Sequence, residues 1–293
     1  MRIAITGTTS GIGREAVGAL VARGHEVVAL GRGVDRVRSA LEPRVAAEVE
    51  CHDLDLADPA SIRAAAERVA AGGPLDALVH NAAVFDQRVP AARFTPAGHE
   101  LFWATNHLGP FELTARLSAA LAAAPAPRVL FVASKGLLAF PRIAVRFDAL
   151  DDASWFTPTR AYYHAKLAHL MTALSLAESA GDRVAVSCLR VPSVRLDPER
   201  LAEQPAILRA LYAPKGALAA TPGRIADVYR RLLETSGTRT PDEAYVDERC
   251  RPVRPPAFAR DPEHRRRLWA TSQRATGDPS WAWPTVGTAE AAP

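Results

Sequence analysis

Short apolar runs alternate with longer amphipathic stretches from the first residues onward. Arg2–Thr6, Glu26–Leu30, Ala47–His52, Leu75–His80, Arg128–Ala133, Val184–Leu189 and Ala244–Asp247 read as strands. Between them the helix signals are punctuated by their caps. Arg14 to Arg23 is closed by Gly24, and Asp58 with Pro59 opens a helix to about Ala71. Thr95-Pro96 reads as the start of a long helix that carries Asn106 and is disturbed at Gly109-Pro110. Thr157-Pro158 opens one that ends before Gly181, Thr221-Pro222 another to about Glu234, and Asp261 to Ala275 a last one. Strand–helix alternation predicts an α/β domain with about seven strands over residues 1–275. Residues 194–220 hold no strand and one short helix near Ala206–Tyr212. They follow a strand end and carry apolar side chains, so they read as a lid over substrate. Residues 276–293 read as a loose tail.

Composition narrows the class. Hydrophobic residues make up 48% of the chain. That is ample for a buried core. A net charge of +4 is mild, and the only basic block is Arg265–Arg267, which argues against nucleic-acid binding. Cys51, Cys188 and Cys250 are far apart, without metal spacing, and fit a reducing cytoplasm; no metal site is expected. No apolar run is long enough to span a bilayer or resembles a secretion signal, so no membrane anchor is expected. The first strand starts at Arg2, which leaves no room for a targeting segment.

Chemistry concentrates where strands end. After Thr6 comes Gly7-Thr-Thr9-Ser10-Gly11-Ile12-Gly13, then a helix. Strand, glycine loop and helix start together make a phosphate cradle, although a plain glycine turn has the same spacing. Arg32 follows the second strand, where dinucleotide folds meet the adenosine ribose. An arginine there suits a 2′-phosphate, so NADP(H) is read over NAD(H); a solvated arginine is the bland alternative. Asp55 and Leu56 sit where a strand end meets an adenine ring. Asn81-Ala82-Ala83 offers a small-residue wall for a flat ligand or simply a tight turn. Ser134 stands at a strand's C-terminal edge, as a ligand contact or a turn serine.

Tyr162 and Lys166 share one helical face by their i, i+4 spacing. An ammonium beside a phenol favours phenolate, so such a tyrosine can give a proton to an alkoxide or take one from an alcohol. The chain has only three lysines among 36 Lys and Arg. Retention of a compact ammonium at 166, where arginine serves nearly everywhere else, points to a specific use.

In order and interval these motifs resemble the short-chain dehydrogenase/reductase family. They are Thr6-Gly-Thr-Thr-Ser-Gly-Ile-Gly13, Asp55-Leu56, Asn81-Ala82-Ala83, Asn106, Ser134 and Tyr162-x-x-x-Lys166. Asn106-His-Leu-Gly-Pro-Phe-Glu-Leu-Thr114, the wide gap from Ser134 to Tyr162, Thr221-Pro222 and Arg267-Leu-Trp-Ala-Thr-Ser272 resemble its retinol-dehydrogenase-like branch. The resemblance covers about residues 1–275 and implies a Rossmann-type, doubly wound parallel sheet with helices on both faces. It implies Tyr162 as acid/base, with Lys166 lowering its pKa and holding the nicotinamide ribose. Ser134 would bond the substrate oxygen, and Asn106 would anchor a relay water. Gly7, Gly11 and Gly13 would line the pyrophosphate, and Asn81 would border the adenosine. Two departures stand out. His80 and Ala83 replace the family's Asn and Gly, and Pro192-Ser193-Val194 replaces Pro-Gly and a following Thr at the nicotinamide contact, where Ser193 is a partial stand-in.

The expected activity is NADP(H)-dependent interconversion of a carbonyl and an alcohol. The apolar stretch between Lys135 and Phe156 points to a bulky hydrophobic or aromatic substrate. Reduction of a C=C or imine bond on the same scaffold is the alternative, and a catalytically silent NADP(H)-binding regulatory protein is the rival from another class. Pairing of long helices into a homodimer or homotetramer is the oligomer the family implies.

Overall fold

A computed structural model describes residues 1–150, 152–195, 219–235 and 240–285. The expected lid core and its short helix lie outside those residues. Seven strands form a parallel sheet in the order β3-β2-β1-β4-β5-β6-β7. They are β1 (Arg2–Thr6), β2 (Glu26–Gly31), β3 (Glu50–Asp53), β4 (Ala77–His80), β5 (Arg128–Ser134), β6 (Ala185–Val191) and β7 (Tyr245–Val246). Strand order reverses between β1 and β4, and such a reversal opens a crevice beyond the strands' C-terminal ends.

On one face lie α1 (Gly11–Val21) and a late helix at Pro222–Glu234, which pack on each other and enclose one apolar cluster with β1 and β2. Short helices α2 (Val34–Ser39) and α3 (Pro43–Glu48) precede β3. The second replaces the start of the strand expected from Ala47. Pro43 fixes a helical first turn there, and six residues are too few to show a period. The other face carries α4 (Pro59–Ala71), α5 (Leu101–Trp103), a π-helical turn (Ala104–Leu108), α6 (Gly109–Ala122) and α7 (Pro158–Ala180). The helix expected from Thr95 begins later. Gly98, at φ +84°, turns the chain. The Glu100 carboxylate then caps α5 by accepting from Phe102 N at 3.0 Å and Trp103 N at 2.9 Å. Pro110 has no N–H to give, and the helix widens just before it.

Helix α7 starts as its cap predicts: Thr157 Oγ1 accepts from Arg160 N at 3.2 Å. Buried side chains lie all around it from His164 to Ala177, because both faces are covered. The inner face meets β5 and β6. The outer face meets α9 (Ala257–Arg260) and α10 (Pro262–Ala275), which follow α8 (Pro222–Glu234) in the chain. The expected loose tail is instead seated as far as residue 285. Trp281 packs on Trp269 at 4.9 Å and on Phe111 of α6 at 5.2 Å. Ala282 N donates to Ser118 Oγ at 2.9 Å, and Trp283 is buried. Aromatic side chains outweigh the proline-rich backbone in this stretch. Residues of the same chain thus cover part of the long helices expected to pair between copies.

Candidate active site

The C-terminal ends of β1, β2, β4, β5 and β6 form one rim. At β1 the chain turns through Gly7, at φ +73°, and a Cβ there would strike Ala82 at 2.7 Å. Only glycine suits both the dihedral and the space. Asn81 fastens this turn to the end of β4. Its Nδ2 donates to Thr6 O and to Gly7 O, each at 2.9 Å, and Ala82 N donates to Thr6 Oγ1 at 3.0 Å. Gly13 has no room for a side chain, since a Cβ would overlap Gly7 O. Gly11, at φ +56°, instead has open space where a Cβ would stand. Ser10, extended, gives α1 no side-chain cap, so the helix start opens toward the rim between half-buried Thr9 and Ile12. An uncapped helix start under a glycine turn suits a pyrophosphate, and the residues present fit a dinucleotide.

Arg32 is exposed just past β2. The adjoining Gly33 N donates to Asp53 Oδ1 at 2.6 Å, which ties the ends of β2 and β3. Asp55 turns its carboxylate into its own loop, accepting from Ala57 N at 2.9 Å, while Leu56 is buried and touches Gly109. Ala82 is half-buried and Ala83 exposed, so both border the crevice rather than the core.

Helix α7 brings Tyr162 half-buried to the rim and carries Lys166 one turn deeper. Lys166 is 2% exposed, and its Nζ donates to Val132 O of β5 at 2.7 Å. Burial lowers its pKa to about 8. Ser134 ends β5 opposite Val191, and its Oγ accepts from Gly136 N at 3.1 Å, a bond that leaves its proton for donation. Asn106, buried in the π-helical turn, grips Val84 with both ends of its amide. Oδ1 accepts from Val84 N at 2.7 Å and Nδ2 donates to Val84 O at 2.9 Å. Its side chain thereby holds the segment after Ala83. Past β6, Ser193 O accepts from Ala220 N at 3.0 Å and Arg195 N donates to Ala220 O at 2.9 Å. Val194 and Ala220 form a bridge, so the stretch from Pro192 is pinned beside β6.

Two site residues escaped the sequence reading. Tyr229 of α8, fully buried, donates its hydroxyl to Asn81 Oδ1 at 3.0 Å and completes that amide's bonding. Phe85, 42% exposed, lays its ring 4.5 Å from the ring of Tyr162. A tyrosine on an apolar helix face reads as core, and a loop phenylalanine carries no periodic signal.

A half-buried phenol one helical turn from a buried ammonium, on the side of the sheet that also carries the Ser134 hydroxyl and the glycine turn at their strand ends, has the groups that proton transfer at an oxygen requires. The family model for short chain dehydrogenases matches residues 1–144. A human protein named dehydrogenase/reductase SDR family member 13 is 32% identical over 284 residues, covering 93% of this chain and 72% of that protein. The chain belongs to the short-chain dehydrogenase/reductase family. Human retinol dehydrogenase 14 is 29% identical over 72% of this chain and 66% of its own length. A Streptomyces antibioticus protein named "Probable oxidoreductase" is 35% identical, over 64% of this chain, and the match spans only 62% of that relative. Among solved structures of similar fold is a short chain dehydrogenase from Shigella flexneri 2a complexed with NADP. Its TM-score is 0.63 at 22% identity, over 85% of this chain and 96% of that one. A Mycobacterium paratuberculosis protein reaches a TM-score of 0.68 at 26% identity, over 94% of this chain and 92% of its own. No helix among the described residues is long and apolar enough to cross a membrane.

Proposed function

We propose that this family member is an NADP(H)-dependent oxidoreductase that interconverts a carbonyl and an alcohol. One observation carries the reading: Lys166 is fixed to Val132 O, buried, one turn below a rim-facing Tyr162. The bound cofactor supplies or accepts the hydride. The chain's own groups do the rest. Tyr162 gives its proton to the developing alkoxide in reduction and takes it back in oxidation. Ser134 donates to the same oxygen, so two fixed donors face the charge that develops there. Lys166 keeps a positive charge under the phenol, which favours phenolate when the proton has left. The glycine turn stapled by Asn81 holds the pyrophosphate, and Arg32 meets the adenosine ribose.

Arg32 is the argument for the phosphorylated cofactor, and the NADP-complexed Shigella flexneri relative supports it. Exposed apolar side chains support a bulky hydrophobic or aromatic substrate. Phe85 stands on Tyr162, Leu138 belongs to the turn after Ser134, and Phe94 lies in the loop before α5.

The test is NADPH oxidation across a panel of aromatic and long-chain aldehydes and ketones, with Tyr162→Phe and Tyr163→Phe beside the parent. Loss of the transferable proton should cost Tyr162→Phe about a hundred- to ten-thousand-fold. Tyr163 packs on Phe140 at 4.8 Å and against Gly136, so its variant should lose far less. Near-parent turnover by Tyr162→Phe would overturn the assignment.

A further inference from the structure

Four of the eight histidines are buried, and the chemistry above uses none of them. Three have hydrogen bonds that fix their tautomers. Thr114 donates its hydroxyl to Pro110 O at 2.7 Å, so it accepts from His80 Nε2 at 2.7 Å, and His80 Nδ1 is a lone pair. Ser272 likewise donates to Leu268 O and accepts from His107 Nε2, each at 2.8 Å. Arg146 N donates to His164 Nε2 at 2.9 Å.

His169 differs. It is 1% exposed, and among the described residues neither of its nitrogens has a hydrogen-bond partner, nor has His80 Nδ1 or His107 Nδ1. A neutral imidazole keeps one N–H and one lone pair, and burying both unmet is costly. His169 lies three residues beyond Lys166 on α7, so the two share a face. The His169 and His80 rings stand edge-on with centroids 6.0 Å apart, and Phe131 is 5.0 Å from each. Phe131 adjoins Val132, whose carbonyl holds the Lys166 ammonium.

We propose that His169 and His80 bind one ordered water between them, and that this water solvates the buried ammonium of Lys166. The donors and acceptors balance. The water donates to His80 Nδ1 and to the His169 lone pair and accepts one N–H from Lys166, three bonds of the kind a buried water makes. Two bonds of about 2.8 Å fit between rings at this separation. Titratable groups acting on the ammonium come from each neighbouring element. His169 lies on its own helix, Cys188 on β6 and His80 on β4, while His107 of the π-helical turn acts on His169. His169 is thus a positioning residue that works through Lys166. It bears on catalysis only if Lys166 has the role given above, but the test reads the lysine itself.

Three lysines make that reading simple. Full-length protein carrying ¹³Cε-lysine gives three titrating signals, and Lys166→Met identifies one. His169→Leu, which deletes the water's partner, should lower the Lys166 midpoint by about one pH unit, tenfold in the equilibrium. His169→Gln keeps a donor and an acceptor and should restore it, while Lys135 and Lys215 stay unmoved. An unchanged Lys166 midpoint in His169→Leu would overturn the proposal. So would Gln behaving as Leu. Should His169→Leu not fold, ¹⁵N-histidine spectra of the parent decide. Lone-pair nitrogens of His80 and His169 shifted by hydrogen bonding support the water, and shifts of unbonded imidazole nitrogen exclude it.

Discussion

Acid should unfold this protein earlier than its carboxylates alone would demand. Burial holds His80 and His107 down to about 3 and His164 to about 4, and pushes His169 well below the ordinary imidazole value. In the unfolded chain each titrates near about 6.5. A base whose folded pKa is depressed binds more protons when unfolded, so stability is full above about 6.5 and is lost as pH falls toward the folded values. At about pH 5.5, one unit below the unfolded value, each imidazole costs about 1.4 kcal/mol, and the set of four about 5.6 kcal/mol. Domains of this kind hold about 5–15 kcal/mol in all. Glu100, raised by burial, acts in the opposite sense but only nearer the carboxylate range. Urea titrations from about pH 7.5 to 5.5 measure the effect directly. The slope of stability with pH should approach four protons taken up per molecule unfolded at the acid end, and His169→Gln should remove one. Stability constant within about 1 kcal/mol over that span would show that these imidazoles titrate in the folded protein as they do in the unfolded chain, and would refute the reasoning.

Arg32→Asp should weaken NADPH binding by about ten- to a hundred-fold, the worth of one charge-assisted bond of about 1.5–3 kcal/mol, and bring NADH affinity closer to it. Calorimetric titration with both cofactors checks this, and an unchanged NADPH affinity would remove Arg32 from the site. Asn81→Ala leaves the Tyr229 hydroxyl buried without its partner, so it should cost about 1–3 kcal/mol more than in a Tyr229→Phe background. Strict additivity in that thermal-melt cycle would mean the bond contributes nothing. Trp283→Ala should destabilise by about 3 kcal/mol, or by the whole docking energy of residues 277–285 if that is smaller. Limited proteolysis of this segment, unchanged in the variant, would contradict its seating.

Helix starts were the most legible part of the sequence. Asp58-Pro59, Thr157-Pro158 and Thr221-Pro222 each place the cap and first turn in two residues, and the structure begins those helices there. Thr95-Pro96 carries the same pair but precedes Gly98, and the glycine's left-handed turn prevails. Alternation gave an α/β domain of about seven strands, and the family resemblance made the sheet parallel, as it is. Apart from Asn106, Tyr162 and Lys166 on helical segments, the motif residues of the site lie within a few positions of a strand end, where glycine, serine and asparagine stand out. What could not be read is contact across the chain. Tyr229 reaches Asn81 from 148 residues away, and its role depends on α8 packing beside α1. Phe85 meets Tyr162 next to Val84, which Asn106 holds from 22 residues away. His80 was legible only as a departure from the family's asparagine, and His169 carried no sequence signal until the packing of α7 on the sheet brought the two rings together.

The cover over α7 has a consequence for how the chain is made. Residues 257–285 are synthesised well after Ala180, so the helix carrying Tyr162 and Lys166 emerges with its outer apolar side bare. The glycine turn and β1 to β4 can assemble once α8 has emerged, because their partners, Tyr229 of α8 included, all precede α9. A nascent chain paused between α8 and α9 would therefore hold a formed phosphate cradle beside an unfinished catalytic helix. For that interval the sticky surface is the one chaperones must shield, and a ribosome stall in this stretch should favour aggregation over degradation of soluble fragments.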